Sequence, residues 1–141
     1  ALVLKREGDW IGAIQNYNAV IDLKGEGHME ALLNRGLTYK QMGELHDALM
    51  DLDAAVRLSP NSARLYKNRA NIHLLNKNYR HAIADYTKAI ELKDDLKEAW
   101  YNRALTHLVL LDNVSACSDL QKSKDLGFPI PNEISSYSCG E

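Results

Sequence analysis

The sequence predicts an all-α solenoid of antiparallel helix pairs, and three observations predict it. The stretch NRGLTY at Asn34 to Tyr39 returns as NRANIH at 68 to 73 and as NRALTH at 102 to 107, a period of 34 residues. Apolar residues recur at i, i+1, i+4, i+7 and i+8 in Ala48, Leu49, Leu52, Ala55, Val56 and again in Ala82, Ile83, Tyr86, Ala89, Ile90, which is one face of a helix. Turn residues separate these stretches at regular intervals. A single helix pair cannot bury its apolar face alone, so the units must stack and share a continuous core.

Taken in order, the elements begin with a truncated unit at residues 1-27. There Ala1 to Glu7 reads as the end of a first helix and Gly8-Asp9-Trp10 as the turn after it, so the chain is expected to start inside a repeat of a longer protein. Ala13 and Tyr17 fit the ruler with one extra residue, absorbed by Lys24-Gly25-Glu26-Gly27. Three complete units follow at 29-62, 63-96 and 97-127. They align Gly36 with Ala70 and Ala104, Ala48 with Ala82 and Ala116, and Leu52 with Tyr86 and Leu120. The turn inside a unit is Met42-Gly43-Glu44 in one copy and Asn76-Lys77-Asn78 in the next, where Gly and Asn are expected to take the left-handed conformation that ends a helix. Between units, Ser59-Pro60-Asn61-Ser62 and Lys93-Asp94-Asp95 stop one helix and cap the next. In the last unit Ser123 and Lys124 stand where Ala55-Val56 and Ala89-Ile90 stood, a polar outer face of the kind a terminal capping helix needs. Residues 128-141 form a tail.

Charge and composition narrow the function classes. Lys plus Arg number 17 against 19 Asp plus Glu, with no basic block, so a nucleic-acid partner is not expected. The longest apolar run, Leu108 to Leu111, is far short of the roughly 18 to 20 residues that cross a bilayer, and Lys5 to Asp9 interrupts any signal-like start. A soluble chain without a membrane role, in a cytoplasmic setting, is the expectation. Cys117, beside Ala116 on the apolar face, reads as a small core residue and Cys139 as a free, exposed thiol. No metal-ligand spacing, phosphate loop or nucleophile motif occurs, so neither enzyme activity nor a cofactor is expected. His73 and His107 fall where another copy has Tyr39 and read as packed residues; His28, His46 and His81 fall in connectors or on outer faces.

The pattern Leu32-x2-Arg35-Gly36-x2-Tyr39, then Ala48-x3-Leu52, then Pro60 resembles the tetratricopeptide repeat. The same frame reads Tyr66, Arg69, Ala70, His73, Ala82, Tyr86 in the next unit and Trp100, Arg103, Ala104, His107, Ala116, Leu120 in the last. The resemblance covers residues 1 to about 127. It implies a right-handed superhelix whose first helices line a concave groove, and a noncatalytic scaffold that binds a segment of a partner protein there. The groove positions it implies are Glu30, Leu33, Leu37, Lys40 and Gln41; Arg64, Lys67, Asn71, Leu74 and Leu75; and Glu98, Tyr101, Leu105, Leu108 and Val109. Apolar contacts are expected from Leu74, Leu75, Tyr101 and Leu105, and polar ones from Arg64, Lys67 and Asn71. The tail from Pro129 onward is expected to fold back over the apolar end. Places that clamp a chaperone's C-terminal carboxylate in some members hold Leu33, Leu37, Asn68, Glu98 and Asn102, which disfavours that ligand; a frame one unit earlier brings only Asn34 and Arg64 into such company.

The recurring Asn-Arg pair divides. Each Arg has an Asp sixteen residues on, giving Arg35 with Asp51, Arg69 with Asp85 and Arg103 with Asp119. Those pairs read as interhelical, part-buried salt bridges, because a buried Arg is seldom left alone. Asn34, Asn68 and Asn102 have two open readings, a peptide-backbone contact in the groove or a hydrogen bond between repeats. The alternative for the whole chain is a structural module that forms a homo-oligomer through its N-terminal edge.

Overall fold

Gly43, Lys77 and Leu111 stand 34 residues apart, and all three take positive φ, of 82°, 61° and 64°. Each closes a helix in the same way. The amide of Glu44 donates to the Tyr39 carbonyl, that of Asn78 to His73 and that of Asp112 to His107, so one cap geometry returns in every unit. A fourth copy ends the last paired helix, with Gly127 at φ 97° and the Phe128 amide donating to Ser123. In the second unit it is Lys77 that takes the left-handed conformation, not a neighbouring Asn. The spacing from helix to helix fixes the capping position, and the residue there must comply.

The computed structural model describes residues 2–24 and 28–139. Among them the helices are α1 (Leu2–Lys24), α2 (Met29–Met42), α3 (Leu45–Leu58), α4 (Ala63–Leu75), α5 (Tyr79–Leu92), α6 (Lys97–Val109), α7 (Asn113–Asp125) and α8 (Asn132–Cys139), with no strand. The tightest pairings are α2 with α3, α4 with α5 and α6 with α7. Contacts from α2 to α4 and from α4 to α6 make the first helices a continuous layer, and α8 rests on α7. The all-α solenoid expected from the repeat is the observed architecture.

Its core follows the ruler. Ala48, Ala82 and Ala116 are fully buried, as are Leu52 and Tyr86, with Leu120 nearly so. Burying each of the large side chains contributes roughly 1.5 to 3 kcal/mol. Gly36, where later units have Ala70 and Ala104, lets α2 and α3 approach closely; a Cβ there would stand 2.4 Å from Leu52 Cδ2 and 3.3 Å from the Ala48 carbonyl oxygen.

Four expectations are corrected. The turn at Gly8-Asp9-Trp10 does not form, since α1 runs unbroken from Leu2 to Lys24. Gly and Asp weaken a helix by about 1 kcal/mol or less each, which is too little by itself to end one. Ser123, expected on a polar outer face, is fully buried and donates from Oγ to the Lys97 carbonyl at 2.9 Å. Cys117 and Cys139 are neither a lone core residue nor a free thiol, because they form a disulfide that ties α8 to α7, with Cα atoms 5.1 Å apart. That return of the chain is set by the Gly127 cap, which spacing alone did not reveal. Leu33, expected in the groove, is 3% exposed and belongs to the first unit's core cluster, against which Ile21 of α1 also packs.

Candidate functional site

Two surfaces carry the polar chemistry of the fold: the layer of first helices and the seams between successive second helices. In the seams, each Arg of the repeated pair donates through Nε and Nη2 to both oxygens of its Asp. The distances are 2.8 and 2.7 Å for Arg35 and Asp51, 2.7 and 2.9 Å for Arg69 and Asp85, and 2.7 and 2.8 Å for Arg103 and Asp119. Nη1 reaches the other way, to the preceding second helix. Arg35 donates to Asn18 at 2.7 Å, Arg69 to Asp53 at 3.1 Å and Arg103 to Thr87 at 3.1 Å. Each Arg therefore joins three helices. Hydrogen bonds from Arg35 to Asp51 and from Arg69 to Asp85 raise both arginine pKa values further, outweighing burial.

Those upstream acceptors were missed by sequence reasoning. The signal was present: Asn18, Asp53 and Thr87 lie on the same ruler, but their side chains differ, and the eye follows identity rather than the shared ability to accept.

His73 completes the second seam. Its Nε2 lies 3.8 Å from Asp85, its ring stacks on His81 with centroids 5.1 Å apart, and its buried Nδ1 has no partner among the described residues. Burial, with help from nearby His81 and Arg69, lowers its pKa from the ordinary histidine value. His107 sits likewise, 3.7 Å from Asp119.

On the first-helix layer the three Asn residues part company. Asn102 donates from Nδ2 to Asn71 Oδ1 at 3.1 Å, and the Tyr86 hydroxyl donates to the same oxygen. This node joins α4, α5 and α6, so Asn102 and the Asn71 oxygen are engaged in a bond between repeats. Burial raises the Tyr86 pKa well above its ordinary value. Asn34 is exposed and Asn68 half-buried, and among the described residues neither side chain has a hydrogen-bond partner.

Four of the five charged groove positions are paired across repeats. Arg64 bonds Glu30, one period away, and Lys67 lies 3.7 Å from Glu98. Both Arg64 and Glu30 are more than half exposed. Lys40 is half-buried near the end of α2. Of the apolar positions, Leu37 and Leu74 pack partly onto the core, Leu105 is half-buried and Leu75 is 57% exposed. Phe128 stacks on Tyr101 with ring centroids 4.4 Å apart, while Val109 remains exposed. Among the described residues no three or more His, Cys, Asp or Glu side chains converge on a metal-sized site, and no helix is long and apolar enough to cross a membrane.

Comparison with known proteins agrees with this geometry. Models of the tetratricopeptide repeat match residues 30–62 and 63–96. Human tetratricopeptide repeat protein 6 is 28% identical over 78% of this chain and 21% of its own length. The DnaJ homolog subfamily C member 7 homolog of Dictyostelium discoideum is 28% identical over 67% and 21%. The chain thus spans about a fifth of the length of these curated relatives. Among solved structures, the crystal structure of MamA is 26% identical with a TM-score of 0.80, covering 87% of this chain and 71% of that one. The first tetratricopeptide domain of Spaghetti (RPAP3), bound to the HSP90 peptide SRMEEVD, has the same fold at 21% identity and a TM-score of 0.72, covering 78% and 86%. The expectation against a chaperone carboxylate draws no support from these likenesses.

Proposed function

The chain belongs to the tetratricopeptide repeat family, and from that premise we propose that it is a noncatalytic protein-interaction scaffold that captures an extended or helical segment of a partner along its first-helix layer. The observation that carries this reading is the contrast on that layer between engaged and idle polar groups. Asn102 is engaged in the fold, whereas the Asn34 and Asn68 amides have no hydrogen-bond partner among the described residues and can both donate to and accept from a peptide backbone. Leu74, Leu75, Tyr101 and Leu105 supply apolar contact beside them, and the rigid repeat loses little entropy on binding. Arg64 already faces Glu30 and half-buried Lys67 faces exposed Glu98, so an acidic segment replaces solvent-accessible pairs worth about 1 kcal/mol or less each.

The test is an anisotropy titration of a labelled acidic peptide, SRMEEVD among the first, against the wild type and the Arg64→Glu, Lys67→Glu double variant. Charge reversal should weaken binding at least tenfold, with helical content unchanged by circular dichroism. An equal dissociation constant for both proteins refutes the groove assignment. A second reading, pairing of two copies through the N-terminal edge, is favoured by Ile11 and Leu23 on α1, which are 54% and 85% exposed. Light scattering over a concentration series separates them, because only edge pairing gives a dimer that α1 substitutions at Ile11 and Leu23 dissolve.

A further inference from the structure

The three seams are alike in their Arg-Asp pairs and unlike in what lies over the guanidinium. In the second seam the Tyr66 ring lies under Arg69, 5.6 Å from its centroid, and in the third the Trp100 ring lies under Arg103 at 5.0 Å. Both rings are also fastened to the connector before them, Tyr66 by its hydroxyl to the Pro60 carbonyl and Trp100 by Nε1 to the Asp94 carbonyl. Trp100 reaches the following second helix as well, with Lys122 Nζ 5.9 Å from its centroid. The residue one period before Tyr66 is Leu32. It is too short and too narrow to occupy the same space, and a cleft of about 410 Å³ stands there instead.

That cleft is lined by Ile21, Leu32, Arg35, Met50, Ala54 and Arg57 among others. Its volume lies at the lower end of the range for ligand sites, roughly 300 to 1,000 Å³. Ala54 is the counterpart of Lys122, the residue the Trp100 ring touches. Arg35 spends the edge of its guanidinium on Asp51 and Asn18, as its counterparts do, and among the described residues no ring lies on its face. The rim differs in charge. Arg57 is exposed and pairs with no carboxylate among the described residues, whereas its counterparts are Glu91 and Asp125.

We propose that the cleft between α1 and α3 is an aromatic seat left open by the described residues, which takes the indole or phenol ring of a partner polypeptide onto Arg35 and Leu32 and holds a neighbouring carboxylate of that partner on Arg57. The second and third seams show what fits: a flat ring with one polar edge, stacked on an arginine whose own hydrogen bonds lie in plane. Arg57 adds the sign of the flanking charge. This seat lies behind the first-helix layer, so it can be filled whether or not the groove is.

N-acetyl-L-tryptophan carries both required groups and serves as the probe. The chain has three methionines, of which Met50 lines the cleft, so methyl-labelled Met50 reports occupancy while Met42 serves as the internal control. Titration should shift the Met50 methyl saturably, and N-acetyl-L-tryptophan amide, which lacks the carboxylate, should bind about two- to fivefold more weakly. Leu32→Trp fills the seat with the residue the third unit uses and should abolish the Met50 shift. Arg57→Glu, an exposed change that leaves the core intact, should reduce the acid's affinity by about the same factor as the amide does. Saturable Met50 shifts of equal size in Leu32→Trp, no Met50 shift with the wild type, or equal affinities for acid and amide would each overturn the proposal.

Discussion

Position by position, the seams and the first-helix layer of this solenoid behave in opposite ways. In the seams Arg35, Arg69 and Arg103 make the same two-pronged bond to Asp51, Asp85 and Asp119, with the same reach back to the preceding helix. On the layer of first helices the equivalent triplets are Glu30, Arg64, Glu98; Leu37, Asn71, Leu105; and Lys40, Leu74, Leu108. Charge, size and polarity all change there from one unit to the next. A group that must hold helices in register has one geometric solution and therefore recurs. A surface freed of that task has no such constraint, and the proposed partner contact is placed on the part that varies. The first seam belongs to both classes, since it keeps the Arg-Asp pair yet has no ring on its Arg among the described residues.

The comparison breaks most severely in the seam. Arg69→Leu leaves Asp85, 7% exposed, as a buried charge with no guanidinium, and removes the tie to Asp53 as well. Urea unfolding should show a loss of about 3 kcal/mol. Adding Asp85→Leu should return much of it, because an apolar pair replaces a paired charge at little cost. If Arg69→Leu were as stable as the wild type, the recurring Arg would owe its recurrence to something other than register.

The turns give a smaller effect of the opposite sign. Leu111 takes the left-handed conformation that Gly43 takes at the same place two units earlier, and its side chain is 79% exposed. A non-glycine residue there costs about 1 to 2 kcal/mol, offset by the 0.5 to 1 kcal/mol of chain entropy that glycine loses on folding. Leu111→Gly should therefore stabilise by about 0.5 to 1 kcal/mol, read as a shift in urea midpoint at unchanged slope. Lys77→Gly should do the same, and a loss of stability in either variant would show that the cap is not strained.

These contrasts also explain what the sequence could disclose. The 34-residue period, the helix faces and the sixteen-residue Arg-to-Asp offset are repetitive, so three copies reinforce one another and the fold is legible. Single events are not reinforced. The unbroken α1, the Cys117–Cys139 bond and the burial of Ser123 each occur once and depend on where helices meet in space. The groove is intermediate: Asn34, Asn68 and Asn102 look alike on the ruler, and only the presence of Asn71 and Tyr86 beside Asn102 separates them. The cleft behind Leu32 was legible in principle, as a Leu where Tyr66 and Trp100 follow, but its meaning needed the rings to be seen on their arginines.

The weakest perturbation is the most telling for the first-helix layer. Arg64 and Glu30 make a direct bond between neighbouring units, as Arg69 and Asp53 do in the seam, yet Arg64 and Glu30 are each more than half exposed. An exposed pair gives up strong hydration for a screened attraction and typically nets about 0.2 to 1 kcal/mol. A double-mutant cycle of Arg64→Gln and Glu30→Gln should therefore return a coupling of about 0.5 kcal/mol or less at physiological salt, vanishing toward 1 M as screening shortens to about 3 Å. The equivalent cycle at Arg69 and Asp85 should retain most of its larger coupling, because water and salt reach that pair poorly. Should the Arg64 cycle match the seam's in size and salt resistance, the first-helix layer would be held as rigidly as the seams, and an acidic segment could not exchange for Glu30 at low cost.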